Sequence, residues 1–334
     1  MSTREYDVVG IGNAIVDVLG KTDDAYVEAK GLPKGAMSLI DEEQAERLFG
    51  ELSEPVTASG GSAGNTMAGI ASLGGSGAYV GKVRDDVLGQ AFRKDIREIG
   101  VDFDTAAATD GPSTARCIIL VTPDAQRTMA TYLGACVNLT SEDVDHELVR
   151  ASKVTYLEGY LFDPPEAKRA FIEAAEVAHE AGRQISLTLS DTFCVDRHRA
   201  AFRELVSNHV DILFANEAEI LSLYETSDFD QAVREVQKVC QIAALTRSEK
   251  GSLILEDGGQ VHEVRADPID QLVDTTGAGD LYASGFLFGF THGKALPVCG
   301  QLGSVAAGEV ISHVGARPLV SLRELAQTKL SITL

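Results

Sequence analysis

The chain has 334 residues, with 29 Lys plus Arg against 50 Asp plus Glu, giving a formal net charge of −21. With 44% hydrophobic and 24% charged residues it has ordinary globular composition, which excludes a disordered chain and allows a core without metal or disulfide staples. The acidic excess excludes a general nucleic-acid binder, since no broad positive field is available to neutralise phosphates, but it leaves room for a small anion held by backbone N–H groups.

Cys117, Cys136, Cys194, Cys240 and Cys299 are scattered with no C-x-x-C pair, and read as reduced thiols of a cytoplasmic protein. The polar start, Met1 to Asp7, lacks the apolar segment of a signal peptide. No apolar run approaches the roughly 18 residues of a membrane span. Neither a membrane nor a nucleic acid is therefore expected as a partner. No repeat, low-complexity tract or linker divides the chain, so residues 1–334 are expected to form one domain.

Taken in order, Tyr6–Ile11 is an apolar, β-branched run ending in Gly12 and predicts a buried strand. Gly61–Leu73 predicts a Gly-rich turn leading into a helix, and Ala78–Gly81 a short strand. Asp86–Ile99 has helical spacing closed by Gly100. Val154–Leu157 is a strand, and Pro165 opens the clearest helix, which Gly182 follows. Strands at Ile185–Leu189, Ile212–Ala215 and Ile242–Leu245 then alternate with helices ending at His209 and covering Glu217–Tyr224 and Phe229–Cys240. That alternation predicts a parallel sheet with helices on both faces. Ala36–Ile40 and Ala115–Tyr132 break the rhythm. Ala115–Thr122 and Arg127–Tyr132 flank Pro123-Asp124-Ala125-Gln126, a hairpin turn, and these segments predict a small β-sheet over the α/β body.

Four segments carry chemistry. In Asp274-Thr275-Thr276-Gly277-Ala278-Gly279-Asp280, a strand-like Leu272-Val273 runs into a turn of small residues and then an apolar helix. Gly277 and Gly279 remove side chains, so consecutive N–H groups can approach an anion at a helix start. Asp280 beside them is placed either to complement the helix dipole or to take a proton from an attacking hydroxyl. Gly60-Gly61-Ser62-Ala63-Gly64-Asn65 lets the chain pass close to a ligand, with Asn65 offering donor and acceptor to a hydroxyl. Gly10-Ile11-Gly12-Asn13-Ala14-Ile15-Val16-Asp17 suggests a dinucleotide fingerprint but fails it, with Ile15 at the third glycine and Asp17 too early for the acidic partner. Asp17 alone reads as a solvated residue after an edge strand. Asn216 and Glu219 follow the strand Ile212–Ala215, and their spacing suits either a helix cap or a pair orienting water around a phosphate-bound Mg²⁺.

In this order the segments resemble the ribokinase-like (phosphofructokinase B) family of carbohydrate and nucleoside kinases, over roughly residues 5 to 322, and within it the adenosine kinase branch. Asp274–Leu287 is similar to that family's C-terminal signature. Gly60, Gly61 and Asn65 match the N-terminal one, where Met67 replaces a small residue. The resemblance implies an α/β, ribokinase-like three-layer α/β/α body with a mainly parallel central sheet, plus a small β-sheet lid built from about 14–50 and 110–135. It implies ATP- and Mg²⁺-dependent transfer of a phosphoryl group to the 5′-hydroxyl of a nucleoside, adenosine first, in purine salvage. A sugar kinase acting on ribose, fructose or a keto-deoxy sugar is the alternative, and a non-catalytic nucleoside- or sugar-binding relative the minor one. By the resemblance Asp280 is the general base, and Gly277, Ala278 and Gly279 form the anion hole with it. Asn13, Asp17, Gly61 and Asn65 bind the acceptor, Arg127 sits on the lid near the transferred phosphate, and Tyr160 and Phe193 pack near the base. Asn216, Thr246, Ser248 and Gly251 face the nucleotide, Asn216 and Glu219 support Mg²⁺ through water, and Asp274 and Thr276 lie where a K⁺ site is built. Thr246-Arg247-Ser248 departs from the family's Thr-x-Gly, and Asp191-Thr192 from a commoner Ala-Pro. The assembly implied is a monomer or a lid-mediated homodimer.

Overall fold

Successive residues of a strand face opposite sides of its sheet, so a strand covered on both sides must be apolar throughout. Tyr6–Ile11 (β1) is such a strand from Val8 onward: Val8 enters one core, and Val9 and Ile11 enter the other, while Asp7 near its start pairs with Lys153. The computed structural model describes residues 4–124 and 126–334. Among them the chain adds Ile15–Lys21 (β2), Met37–Leu39 (β3), Val56–Ser59 (β4), Gly77–Val80 (β5), Val101–Asp102 (β6), Ala115–Val121 (β7) and Arg127–Tyr132 (β8). Ser152–Glu158 (β9), Gln184–Thr188 (β10), Ile212–Asn216 (β11), Ile242–Thr246 (β12), Ser252–Glu256 (β13) and Gln260–Val264 (β14) follow.

Nine strands form the central sheet in the order β14-β13-β12-β11-β10-β9-β1-β5-β6. It is parallel from β6 to β12, while β13 and β14 add antiparallel. Helices cover both faces, giving three α/β/α layers. One face buries Met67, Phe92, Tyr156, Phe214, Phe286 and Phe288 under helices that include 62–72, 87–98 and 278–291. The other buries Leu157, Phe162, Phe171, Leu187, Phe202 and Leu213 under 165–180, 192–209 and 217–224. Tyr156 and Leu157, adjacent in sequence, point into different cores, as the two-residue period requires.

Local chemistry sets the helix ends. Asp86 caps the helix 87–98 by accepting from the Gly89 amide at 2.8 Å, and Pro165 occupies the first turn of 165–180. All five cysteines are buried and unbridged. No helix among the described residues is long and apolar enough to cross a membrane.

A second sheet, ordered β3-β8-β7-β2-β4, lies over one edge of the first. β7 and β8 form the expected hairpin, with Ile118 opposite Ala130. Of its turn residues, Ala125 lies outside the described residues, as do Met1, Ser2 and Thr3 of the polar start. β2 pairs with β7 in parallel and with β4 antiparallel, so this sheet reaches residue 59. Several expectations differ from what is found. Leu272-Val273 is not a strand: both residues are exposed, and the Val273 amide donates to Ile311 O at the end of a helix, not to a sheet edge. β13 and β14 carried no sequence reading. The helix beginning at Phe229 ends at Val236, not Cys240.

Candidate active site

The parallel strands deliver their carboxyl ends to one edge, and the crevice beyond such an edge is where open α/β sheets bind ligands. Here β1 connects outward to β5 on one side and β9 to β10 on the other, so the chain parts between β1 and β9. Asn13 after β1 and Glu158 ending β9 meet across that gap, with Asn13 Nδ2 donating to Glu158 Oε1 at 2.8 Å. The Ala63 amide donates to Glu158 Oε2 at 2.8 Å, which ties the start of helix 62–72 to the same carboxylate. Glu158 is 1% exposed, and burial pushes its carboxyl up to about 7 despite these donors.

Gly60 and Gly61 make the turn into helix 62–72. Gly61 has φ +82°, and a Cβ there would meet Asn13 O at 2.2 Å; one on Gly60 would meet the Asp17 carboxylate at 2.4 Å. The carboxylate of Asp17, on β2, therefore rests against a bare backbone. It is not a solvated edge residue: burial raises it to about 6, against the opposing charges of Arg317 and Arg127.

Asp280 stands in the first turn of helix 278–291, behind Gly277 at φ +80°. Ser62 Oγ donates to its Oδ1 at 2.6 Å and Asn65 Nδ2 to its Oδ2 at 3.0 Å. Burial raises this carboxyl to about 6, with both hydrogen bonds and Arg317 opposing the rise. The amides of Gly277, Gly279 and Asp280 have no acceptor among the described residues, and a Cβ on Gly279 would meet only open space. A carboxylate and three undirected N–H groups thus border one cleft. That arrangement can take a proton from a hydroxyl and hold the oxygens of a phosphoryl group.

Arg127, at the start of β8, spans from the second sheet to this turn. It ion-pairs with Asp274 Oδ2 and donates to Thr276 Oγ1 at 3.3 Å, and both side chains of the pair are largely buried. Asp274 also accepts from Thr276 N at 3.0 Å, Thr276 Oγ1 at 2.7 Å and Gly315 N at 3.0 Å. Burial would raise the Asp274 carboxyl, but these donors and Arg127 together lower it. Its oxygens are fully engaged by protein donors. In this arrangement neither the Asp274 carboxylate nor the Thr276 hydroxyl is free to hold a monovalent cation.

The remaining expected residues lie along the same strand ends. Tyr160 follows β9, with its amide on Ser190 Oγ at 3.1 Å and its hydroxyl on Ser190 O at 3.2 Å. Phe193 begins helix 192–209; it is 59% exposed, with the Arg197 guanidinium 4.3 Å from its ring centre. Neither aromatic is core. Asn216 caps helix 217–224 in a reciprocal box: Glu219 N donates to Asn216 Oδ1 at 2.9 Å and Asn216 Nδ2 to Glu219 Oε1 at 2.6 Å. Burial pushes Glu219 up to about 7. Thr246 ends β12, and Ser248 and Gly251 sit in the following turn with φ of +51° and +85°.

Sequence reasoning missed Ser62, Glu158 and Arg317. Ser62 lies inside a segment that was singled out, and its position one residue past the glycine pair is a usable signal. Glu158 ends an apolar run with no spacing rule to mark it. Arg317 donates through Nε to Asn65 Oδ1 at 2.9 Å and through Nη2 to Ser59 Oγ at 3.0 Å.

Comparison with known proteins gives a consistent picture. The profile of the pfkB family carbohydrate kinases matches residues 36–322. Adenosine kinase of Saccharomyces cerevisiae is 25% identical over 330 residues, 92% of this chain and 95% of that one. Among solved structures, a probable sugar kinase protein from Rhizobium etli CFN 42 is 50% identical with a TM-score of 0.91, covering 99% of this chain and 100% of that one. Adenosine kinase from Sinorhizobium meliloti is 54% identical with a TM-score of 0.89, covering 97% and 99%.

The two glycines of the turn are expected to respond differently to alanine. Gly277→Ala forces a left-handed residue against Ala316, and should lower stability by at least about 1–2 kcal/mol in denaturant unfolding. Gly279→Ala should leave stability within about 0.5 kcal/mol.

Proposed function

The chain belongs to the pfkB family of carbohydrate kinases, phosphotransferases with an alcohol group as acceptor, and we propose that its acceptor is the 5′-hydroxyl of a nucleoside, adenosine first, with ATP as donor. The observation that carries this reading is the 54% identity, over 97% of the chain, to an adenosine kinase.

In this reading Asp280 accepts the hydroxyl proton as the oxygen attacks, and Ser62 and Asn65 keep its two oxygens directed into the cleft. The amides of Gly277, Gly279 and Asp280 receive the transferred phosphoryl oxygens; that of Ala278, expected to join them, donates instead to Thr275 O at 3.2 Å. The chemistry is mostly positioning and charge stabilisation, as phosphoryl transfer requires. Asp17, Asn13, Gly61 and Asn65 hold the ribose hydroxyls, a carboxylate being able to accept two hydrogen bonds. Tyr160 and Phe193 border the base, and the exposure of Phe193 gives it a free face for stacking. The second sheet acts as a lid. Arg127 on it already donates to Thr276 beside the amides, and it exchanges Asp274 for phosphate oxygens when ATP arrives. Lid closure excludes water and so limits hydrolysis of ATP. Thr246, Ser248 and Gly251 line the donor side.

Mg²⁺ bound to the ATP phosphates supplies neutralisation of their charge. Among the described residues no group of three or more His, Cys, Asp or Glu is placed to hold a metal ion. That suits an ion whose ligands are mainly phosphates and water, with Asn216 and Glu219, fixed to each other, orienting its waters.

The second reading is a sugar kinase, favoured by the 50% identity to a probable sugar kinase protein. A panel of acceptors with ATP separates the two: adenosine phosphorylated in preference to ribose, fructose and keto-deoxy sugars supports the first, and the reverse order replaces it. Asp280→Asn should abolish nearly all turnover while acceptor binding persists; near-normal turnover sinks the base assignment. A base must be ionised, and burial raises Asp280 and Asp17 to about 6, so kcat/KM should fall as pH drops through about 6. Because the two carboxylates interact, that limb belongs to the pair, and Asp17→Asn should reduce it to a single proton. Removing Mg²⁺ with a chelator should stop turnover, since little protein positive charge faces the phosphates; substantial activity in chelator contradicts the proposed division of labour.

A further inference from the structure

Arg317 lies between helices 296–310 and 322–330 and belongs to none of the segments that carry the proposed chemistry. Its guanidinium is desolvated, which depresses its pKa, and Asp17, Asp95 and Asp280 oppose that shift with their charges. It is anchored at two points. Nε donates to Asn65 Oδ1 at 2.9 Å. Nη2 donates to the backbone carbonyl of Ser59 and to Ser59 Oγ at 3.0 Å. Ser59, the last residue of β4, is itself held on helix 87–98, its amide and hydroxyl donating to Asp95 Oδ2 at 2.7 and 2.5 Å.

An asparagine amide has one accepting end and one donating end. With Asn65 Oδ1 committed to Arg317, its Nδ2 must face Asp280, and it does, at 3.0 Å. Reversed, the amide would set its oxygen against the Asp280 carboxylate. Ser62 fixes the other oxygen, so Asp280 is oriented through a chain that ends on Arg317.

We propose that Arg317 is a positioning residue for Asp280: through Asn65 it holds the proton-accepting carboxylate in one orientation, and it supplies positive charge to the acidic group formed by Asp17 and Asp280. The proposal rests on the reading of Asp280 as base. The groups facing Asp280 are Ser62 and Asn65 from helix 62–72, Asp17 from β2, Tyr156 and Glu158 from β9, Tyr160 beyond it, and Arg317. Arg127 faces Asp17 from β8. Of the two cations, only Arg317 acts directly on Asp280. Its removal takes away the one cation that lowers the Asp280 carboxyl, which must then titrate at higher pH.

Two substitutions in the full chain divide the roles. Arg317→Gln keeps a donor for Asn65 and loses the charge. Arg317→Lys keeps the charge and loses the planar fork. The readouts are kcat and KM for the acceptor, and the titration of Asp280 followed by NMR with carboxyl-labelled aspartate, its resonance identified by its absence in Asp280→Asn. Both variants should lose kcat by up to about a hundredfold with a much smaller change in KM. The Asp280 midpoint should rise in Arg317→Gln and return towards the wild-type value in Arg317→Lys while kcat stays low. A kcat within about twofold of wild type in both variants overturns the proposal, and so does an unmoved Asp280 midpoint in Arg317→Gln. If Arg317→Gln does not fold, the kcat-against-KM split in Arg317→Lys decides: a loss confined to KM overturns it. Should Asp280→Asn turn over normally, the base reading fails on its own, and the midpoint shift still reports whether Arg317 and Asp280 are coupled.

Discussion

Desolvated negative charge is the constraint around which this cleft is built. Glu158 and Glu219 at strand ends, Asp17 within β2 and Asp280 in the first turn of a helix all lose water, and burial raises each of them. A buried carboxylate without donors is costly, and several near one another are more so. The surrounding structure answers with directed donors: Asn13 and the Ala63 amide on Glu158, Ser62 and Asn65 on Asp280, Asn216 on Glu219. The bare backbone at Gly60 and Gly61 follows from the same constraint, because side chains there would displace Asp17 or Asn13.

Overall charge and local charge play separate parts. A net charge of −21 would repel a nucleoside triphosphate at long range. The groups that face an anion are local: amides at a helix start and a single arginine reaching over from the second sheet. Screening in physiological salt confines the repulsion from exposed acidic residues to about 8 Å, while dipoles inside a cleft are screened far less. The global acidity therefore bears on solubility more than on the site.

What the sequence disclosed, and what it hid, follows the range of the physical rule involved. Residues 274–280 are legible because a turn that leaves its amides uncovered needs consecutive residues without bulky side chains, and that is a local demand. The alternating strands and helices of the second half are legible because each has its own period and its own end signals, such as Asp86 and Pro165. β13 and β14 are not: their pattern, with exposed Val261 and Glu263 on the outer strand, is that of an edge whose partner lies next to it rather than of a covered strand. Arg317 was illegible for another reason. It meets Asn65 across 252 residues of chain, and no spacing rule reaches that far. Asn216 and Glu219 show a third case, since the same three-residue interval suits a helix cap or an ion's hydration shell; the cap is the one formed, with both Glu219 oxygens accepting from Asn216.

The strand order of the central sheet carries a consequence for biogenesis. β1 precedes every other strand among the described residues, yet it lies inside the sheet, with Tyr6 beside Ser152 on one side and Val8 beside Gly77 on the other. β2 likewise waits for Ala115–Val121 before it has its parallel partner. On the ribosome this strand, with Val8, Val9 and Ile11 destined for the core, must stay unpaired on one flank until β9 emerges. Residues 274–280 and Arg317, which complete the cleft, come later still. Such long-range pairing folds slowly and leaves sticky edges exposed meanwhile. A nascent chain of this architecture has its greatest need of chaperone shelter before β9 has been made, and its cleft is incomplete until Arg317 has emerged.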